Sequence, residues 1–124
     1  MSNSQAEIFN AFRKNITNKI SPYLSKFNFN IDNVIKEEQQ WINANFTKDK
    51  TVISIGVSLH HLDYTDGITV LLKSKFGDKF LRNEVLKNSN KNIPIYSYNK
   101  ELIDSEFDRI ISDIKQHLEN YFEY

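Results

Sequence analysis

Cysteine is absent from this chain of 124 residues, and glycine, proline and long apolar runs are scarce. Without cysteine, disulfides, thiol catalysis and thiolate metal sites are excluded. The three glycines lie at positions 56, 67 and 77, so no glycine-rich phosphate loop or dinucleotide-binding fingerprint can be written. No nucleophile elbow of the G-x-S-x-G type occurs either. The common sequence signatures of catalysis are missing, and we predict that the protein is not an enzyme.

An excess of charge of one sign and a membrane segment are also absent. Lys plus Arg and Asp plus Glu both total 16, which gives a formal net charge of zero at pH 7. Nucleic-acid binders concentrate positive charge to release counterions from phosphate, so we predict no nucleic-acid partner. No apolar run approaches the roughly 18–20 residues that span a bilayer, and the polar opening MSNSQAE does not resemble a signal peptide. We therefore expect a cytoplasmic protein with no membrane partner.

Apolar and aromatic residues are plentiful, at 40% and 13% of the chain, and they favour one folded α+β domain over residues 1–124. The most hydrophobic stretch is TVISIGVSLHHLDYTDGITVLLKSK, residues 51–75. Apolar residues occupy every second position in 52–59 and again in 68–72. A period of two predicts two strands with one buried face. Asp66 and Gly67 are a strong turn signal, so we predict an antiparallel hairpin.

A third strand is predicted over residues 41–46, WINANF, because its apolar residues also alternate. Residues 47–50, three of which are charged, would form the turn that joins this strand to the hairpin. The run 93–98 is extended in character, but Pro94 confines it to an edge strand or a stretched linker. The sheet is therefore predicted to be an antiparallel meander of three to four strands.

Amphipathic helices are predicted on both sides of this meander. The first covers residues 5–27, is capped by Ser4 and is interrupted at Pro22. A short helix follows Asp78 as its cap, and a long one runs from Asn99 almost to the end of the chain. The apolar side of the short helix would comprise Phe80, Leu81, Val85 and Leu86. We predict an α+β fold with the long N- and C-terminal helices packed on one face of the sheet.

The opposite sheet face is predicted to be open. The candidate partner surface on it consists of Trp41, Asn43, Asn45, Ser54, Ser58 and His60, with Thr69 and Leu71 on the same side. An aromatic anchor surrounded by small polar groups is typical of a protein-binding patch. Two other interpretations stay open, namely that a helix covers this face or that it is simply solvated. A register slip of one residue would exchange the two faces.

His60, His61 and Asp63 are the only cluster with metal-ligand potential. Adjacent strand residues point to opposite faces, so His60 and His61 cannot share a metal while both lie in a strand. His61 and Asp63 are too few ligands for a catalytic zinc or iron site. We therefore predict no metal and no cofactor, and we keep a small-ligand site at this turn as an alternative.

The order of elements resembles a loose group of small bacterial proteins. The resemblance rests on SPYLSKFNF at the end of the first helix, on WINANFTKDKTVISIGVSLHHLDYTDGITVLLKSK in the meander, and on FDRIISDIKQHLENYFEY in the last helix. Many members of this group have no assigned function, and some are assigned as immunity proteins of toxin systems. The resemblance implies a cytoplasmic, non-enzymatic protein that binds and neutralises a cognate toxin, and it carries over no site residue.

The functional prediction is therefore a non-enzymatic protein-binding module with a protein partner, in its most specific form an immunity-type protein. One alternative is a self-associating structural or regulatory domain, suggested by the apolar stripe from Leu102 to Phe122 and by the edge that carries Pro94. Another is a small-ligand binder at His60, His61 and Asp63. The sequence leaves the identity of the partner and the oligomeric state open.

Overall fold

The computed structural model is an α+β fold in which helical segments pack on a five-stranded antiparallel sheet. The structure describes residues 5–59, 67–87 and 96–122. The helical segments are α1 (Gln5–Asn15), a π-helix (Ile16–Ile20), α2 (Ser21–Ser25), α3 (Leu81–Lys87), α4 (Ile103–His117) and a 3-10 helix (Glu119–Tyr121). The strands are β1 (Ile35–Glu37), β2 (Trp41–Lys48), β3 (Thr51–Ser58), β4 (Thr69–Ser74) and β5 (Gly77–Phe80).

The sheet is a meander in which each strand pairs with the next, in the order β1-β2-β3-β4-β5. β2, β3 and β4 confirm the three predicted strands. The turn between β2 and β3 is Asp49-Lys50, and Asp49 takes the left-handed conformation with φ of 53° that aspartate tolerates in turns. The predicted count of three to four strands was too low, because β1 and β5 were not recognised. With three and four residues, these strands have too few positions to display an alternating pattern.

The predicted extended run at the end of the sheet is not confirmed as a strand. Residues 93–95 lie outside the described residues, as do Ser4 and the turn that contains His60, His61 and Asp63. The described residues 96–99 are irregular. One backbone hydrogen bond, from Ile68 N–H to the Tyr96 carbonyl oxygen at 2.7 Å, ties this segment to the chain just before β4.

The face of the sheet that carries the apolar alternation packs against the helices, and we call it the inner face. Its residues are buried together with the apolar stripes of the helices in one cluster. The inner-face residues of the three long strands are Ile42, Ala44, Phe46, Ile53, Ile55, Val57, Val70 and Leu72. The opposite side of the sheet is called the outer face.

The first helical stretch confirms the predicted amphipathic helix, and its hydrogen-bond pattern changes at the π-helix Ile16–Ile20. Asn15, the last residue of α1, is buried. Its side-chain Nδ2 donates to the Ala11 carbonyl oxygen at 2.9 Å and to Asp104 Oδ1 on α4 at 2.7 Å. Pro22 lies at the start of α2, where its missing N–H is tolerated. The helical course therefore continues past Pro22.

The prediction that Asp78 caps a short helix was wrong, because residues 77–80 form β5 and α3 begins at Leu81. Gly77 takes φ of 94° at the preceding turn, a conformation that favours glycine, and the chain then pairs with β4. The predicted apolar side of the helix is only half right. Leu81 is buried and Val85 packs on the core, whereas Phe80 and Leu86 are 44% and 52% exposed.

The last helix begins at Ile103 rather than at Asn99. The Asn99 carbonyl oxygen accepts the N–H groups of Leu102 and Ile103 at 2.9 and 2.8 Å, so a turn leads into the helix. Its apolar stripe is buried in the core of the chain itself, which confirms packing of this helix in the layer that covers the inner face. The buried residues of the stripe are Ile103, Phe107, Ile110, Ile114, Leu118 and Phe122.

Candidate functional site: the outer face of the sheet

The outer face carries the residues that alternate with the buried ones, as the sequence predicts. Trp41, Asn43, Asn45, Ser54 and Ser58 all occupy outer-face positions, whereas His60 lies outside the described residues. Trp41 is 38% exposed, and the other four are partly exposed. Within the described residues, no outer-face side chain belongs to the cluster that joins the helices to the sheet. The apolar core that the described helices share with the sheet therefore lies on the inner face.

Pairing between strands arranges the outer-face residues in rows that run across the sheet. Lys36 pairs with Asn43, Asn43 with Gly56, and Gly56 with Thr69, so these four residues form one row, which we call the central row. Residues that pair directly point to the same face of a sheet. The central row therefore consists of a cation, an amide, a glycine without a side chain and a hydroxyl, in that order.

Rows on either side of the central row frame it. On one side, Trp41 pairs with Ser58. On the other side, Asn45, Ser54, Leu71 and Phe80 are paired in succession across four strands. In that row the Ser54 hydroxyl donates to Asn45 Oδ1, so two small polar side chains are paired with each other. An exposed aromatic ring lies in each flanking row, at Trp41 and at Phe80.

Gly56 forms the floor of the central row. A Cβ atom at this position would lie 3.3 Å from Asn43 Cγ and 3.3 Å from the Ile42 carbonyl oxygen. The Asn43 side chain therefore extends over the space that a larger residue would fill. Asn43 Oδ1 is buried there and accepts no hydrogen bond from the described residues. A buried acceptor without a donor costs free energy.

Two concavities meet on this face. One, of about 260 Å³, is lined by Trp41, Asn43, Gly56, Ser58 and Thr69, with the backbone of Ile42 and Val57 beneath. The other, of about 110 Å³, is lined by residues 67–70 and by Phe80, Arg82 and Asn83. Thr69 lines both. The two concavities therefore adjoin at Thr69, and we refer to them together as the depression.

The sequence did not reveal part of this site. Phe80, which lies in β5, was assigned to the helix after Asp78, whereas Arg82 and Asn83 do lie in a short helix, α3. Residues 28–36 were interpreted as turn-like at first and as a candidate extended stretch toward the end, where Lys36 lies in β1. The Ile-Lys-Glu alternation of β1 and the Asp-Lys-Phe run of β5 were the available signals, but each is too short to be decisive. Gly56 was placed on the correct face, but its role depends on which residue lies opposite it, and register cannot be read from one strand.

The groups with displaced pKa values lie in the helical layer rather than on the outer face. Burial raises the pKa of Tyr96 above its usual range, and the hydrogen bond from its hydroxyl to Asp113 Oδ2 at 2.6 Å adds to this effect. Burial and the bond to Glu119 likewise raise the pKa of Tyr23. The Arg109 guanidinium holds the pKa of Glu106 below its usual range. These shifts arise from burial and from polar contacts made by the helices, within α4 at Glu106 and between elements at Tyr23 and Tyr96.

Chemistry of other kinds finds little support in the described residues. Within residues 5–59, 67–87 and 96–122, no group of three or more His, Asp or Glu side chains is arranged to hold a metal ion. Within the same residues, no helix is both long enough and apolar enough to cross a membrane. No protein-family model, no curated protein and no solved structure matches this chain.

Proposed function

We propose that this protein is a non-enzymatic protein-binding module and that its outer sheet face contacts the partner. The observation that carries this proposal is that Trp41, which is 38% exposed, lines a concavity of the outer face together with Asn43, Ser58 and Thr69. An aromatic side chain in a partly desolvated polar surrounding is the usual composition of an interface hot spot.

The most specific form of the proposal is an immunity-type protein that binds and neutralises a cognate bacterial toxin in the cytoplasm. Its support is the resemblance in element order described above, together with an inner face occupied by the chain's own helices and an outer face left for a partner. The alternative of self-association stays a separate prediction; most of the apolar stripe of the last helix is buried within the chain, Leu102 is 50% exposed, and Pro94 lies outside the described residues. The proposed ligand turn at His60, His61 and Asp63 remains a separate prediction.

The test is co-expression with the product of the neighbouring gene, followed by light scattering of the purified complex and titration calorimetry. We expect a 1:1 complex that Trp41→Ala weakens about thirtyfold, since central aromatic anchors contribute about 2 kcal/mol or more. The matched control is Leu102→Ala, because Leu102 is also apolar and is 50% exposed but precedes α4. It should change the affinity by less than about twofold. Equal effects of the two variants would contradict the proposal, as would a partner protein that forms no complex.

A further inference from the structure

We infer that the central row is a track for an extended, acidic segment of the partner, which crosses the strands between Lys36 and Arg82. This inference rests on the proposed function and specifies which part of the outer face recognises the partner and by what chemistry. Its basis is the order of side chains along the row and the depression that its residues Asn43, Gly56 and Thr69 line.

The row has a cation at each end. Lys36, on β1, is exposed and pairs with Asn43. At the other end, Thr69 and Arg82 both line the smaller concavity. Each lies two residues from the strand pair Leu71 and Phe80, so Arg82 follows Thr69 at the end of the row. Arg82 is exposed as well. Neither concavity is lined by an acidic side chain among the described residues.

The surrounding charge reinforces this polarity. The formal net charge of the whole chain is zero, but the stretch of residues 73–87 contains five basic and two acidic residues, whereas residues 97–122 contain three basic and six acidic residues. Arg82 therefore lies in the basic part of the chain. A partner segment with carboxylates at both ends would complement Lys36 and Arg82, and guanidinium groups bind carboxylates in a favourable fork geometry.

The middle of the row carries only small side chains. Gly56 has none, and the Asn43 side chain lies over it, with Cγ 3.3 Å from the position of a Gly56 Cβ. Thr69 adds a small side chain and closes the row toward Arg82. Trp41 and Phe80, in the flanking rows, would border the segment on its two sides. Flanking aromatic contact favours binding.

The dimensions fix the length of the segment. Strands of a sheet lie about 4.8 Å apart, so the distance from Lys36 on β1 to Arg82 beyond β5 is about 19 Å. An extended chain advances about 3.3 Å per residue, and about six residues would therefore span the row. The occupant is thus a short extended segment with acidic residues at both ends.

The probe is the peptide acetyl-Glu-Thr-Ser-Thr-Ser-Thr-Glu-amide, whose glutamates lie about 20 Å apart when it is extended. It is titrated into the ¹⁵N-labelled full chain to about 5 mM, a range suited to millimolar affinity. We expect shifts at the amides of Asn43, Gly56 and Thr69 and at the Asn43 side-chain amide. A peptide with the same composition but with both glutamates at one end should bind about threefold more weakly, since it can reach only one cation.

Variants of the protein test the two ends. Lys36→Gln and Arg82→Gln should each weaken binding about threefold, the size expected of an exposed ion pair. The matched control is Lys14→Gln, because Lys14 is exposed on α1 in the helical layer. It should leave the affinity unchanged, and so a loss in all three variants would indicate only general charge attraction and would overturn the inference.

Three other results would overturn the inference. One is the absence of shifts at the highest peptide concentration. Another is binding centred on the flanking rows and insensitive to Lys36→Gln and Arg82→Gln. The last is an oligothymidylate of about six nucleotides that binds more tightly than the peptide and depends on the same two cations, which would make the occupant a nucleic acid. If Trp41→Ala weakens the protein complex while Lys36→Gln and Arg82→Gln do not, the outer-face interface stands and only the track fails.

Discussion

At the residue scale, Asn43 combines a strand position with an unsatisfied side chain. It pairs with Gly56 on β3 and with Lys36 on β1, so its side chain lies in the middle of the sheet rather than at an edge. There its Oδ1 atom is buried without a donor from the described residues. Retention of such a group is usual where function, rather than stability, determines the residue.

Asn43→Val is therefore expected to stabilise the protein. The substitution removes a buried unsatisfied acceptor and introduces a residue with high strand propensity, so the free energy of unfolding should rise by about 1 kcal/mol. The matched control is Asn45→Val, one position further along the same face, which breaks the hydrogen bond from Ser54 and should lower stability by about 0.5–1 kcal/mol. Urea unfolding measures both. A destabilised Asn43→Val variant would mean that Asn43 has a structural role.

The outer-face residues are also the part of the site that sequence reasoning predicted best. Alternation in 41–46 and 52–59 fixed which side chains share a face, because a strand has a strict period of two. The central row could not be predicted from the sequence, since it depends on Asn43, Gly56 and Thr69 lying opposite one another in three strands. Register is set by turns and by packing between strands, and one sequence does not display it.

At the element scale, the helical layer is held together by buried polar bonds as well as by apolar packing. Asn15 lies immediately before the π-helix, and its side chain donates hydrogen bonds to both α1 and α4. Lys19, within the π-helix, donates to the Asp104 carbonyl oxygen at 2.7 Å and forms an ion pair with Asp108 at 3.0 Å. π-Helical turns inside helices often mark a position where such an extra contact is required. Periodicity of apolar residues predicts the helix but not this change of hydrogen-bond pattern.

Asn15→Ala is expected to lower the free energy of unfolding by about 2 kcal/mol. It removes two hydrogen bonds of a buried side chain, one of them to a carboxylate, and leaves Asp104 without this donor. Asn18→Ala is the matched control, because Asn18 is exposed in the adjacent helical turn and should change stability by less than about 0.5 kcal/mol. Thermal and urea unfolding compare the two. Equal effects would show that helix propensity, rather than the bridge to α4, determines the outcome.

The segment of residues 96–99 is fastened to α4 by a second polar cluster. Arg109 donates to both carboxylate oxygens of Glu106, at 2.7 and 3.0 Å, and Ser97 N–H donates to Glu106 Oε1 at 2.8 Å. The guanidinium carbon of Arg109 lies 4.3 Å from the ring centroid of Tyr96, whose side chain is buried and bonded to Asp113. The backbone of this segment is held by side chains of a helix, and the described part of the predicted edge strand or stretched linker is irregular.

This cluster should make stability depend on acid pH through Glu106. Its pKa is lowered in the folded protein from 4.5, chiefly by the bond to Arg109, so its contribution is present above about pH 4.5 and is lost as pH falls through the lower folded value. Glu106→Gln should therefore melt at a lower temperature than the unsubstituted protein at pH 7, with a difference that shrinks below pH 4.5. Glu101→Gln, which removes an exposed carboxylate just before the same helix, is the control. A melting difference that stays constant from neutral to acid pH would contradict this role of Glu106.

At the scale of the whole molecule, the two faces of the sheet have different occupants. The inner face and the apolar stripes of the helices form one cluster, which includes the buried residues of the α4 stripe. The outer face carries Trp41, the depression and cations at both ends of the central row. The net charge of zero did not predict this arrangement, because composition does not report where charges lie in the fold.

The most direct test of this account uses the indole N–H signal of Trp41, the only tryptophan in the chain. The protein is labelled with ¹⁵N and mixed with the unlabelled product of the neighbouring gene, so that a single indole resonance reports on the outer face. We predict that this resonance shifts on complex formation together with Asn43, Gly56 and Thr69, while Leu102 and the exposed side of α4 are unaffected. A complex that shifts α4 and leaves the indole of Trp41 and the central row unchanged would contradict the proposal that the outer face binds the partner.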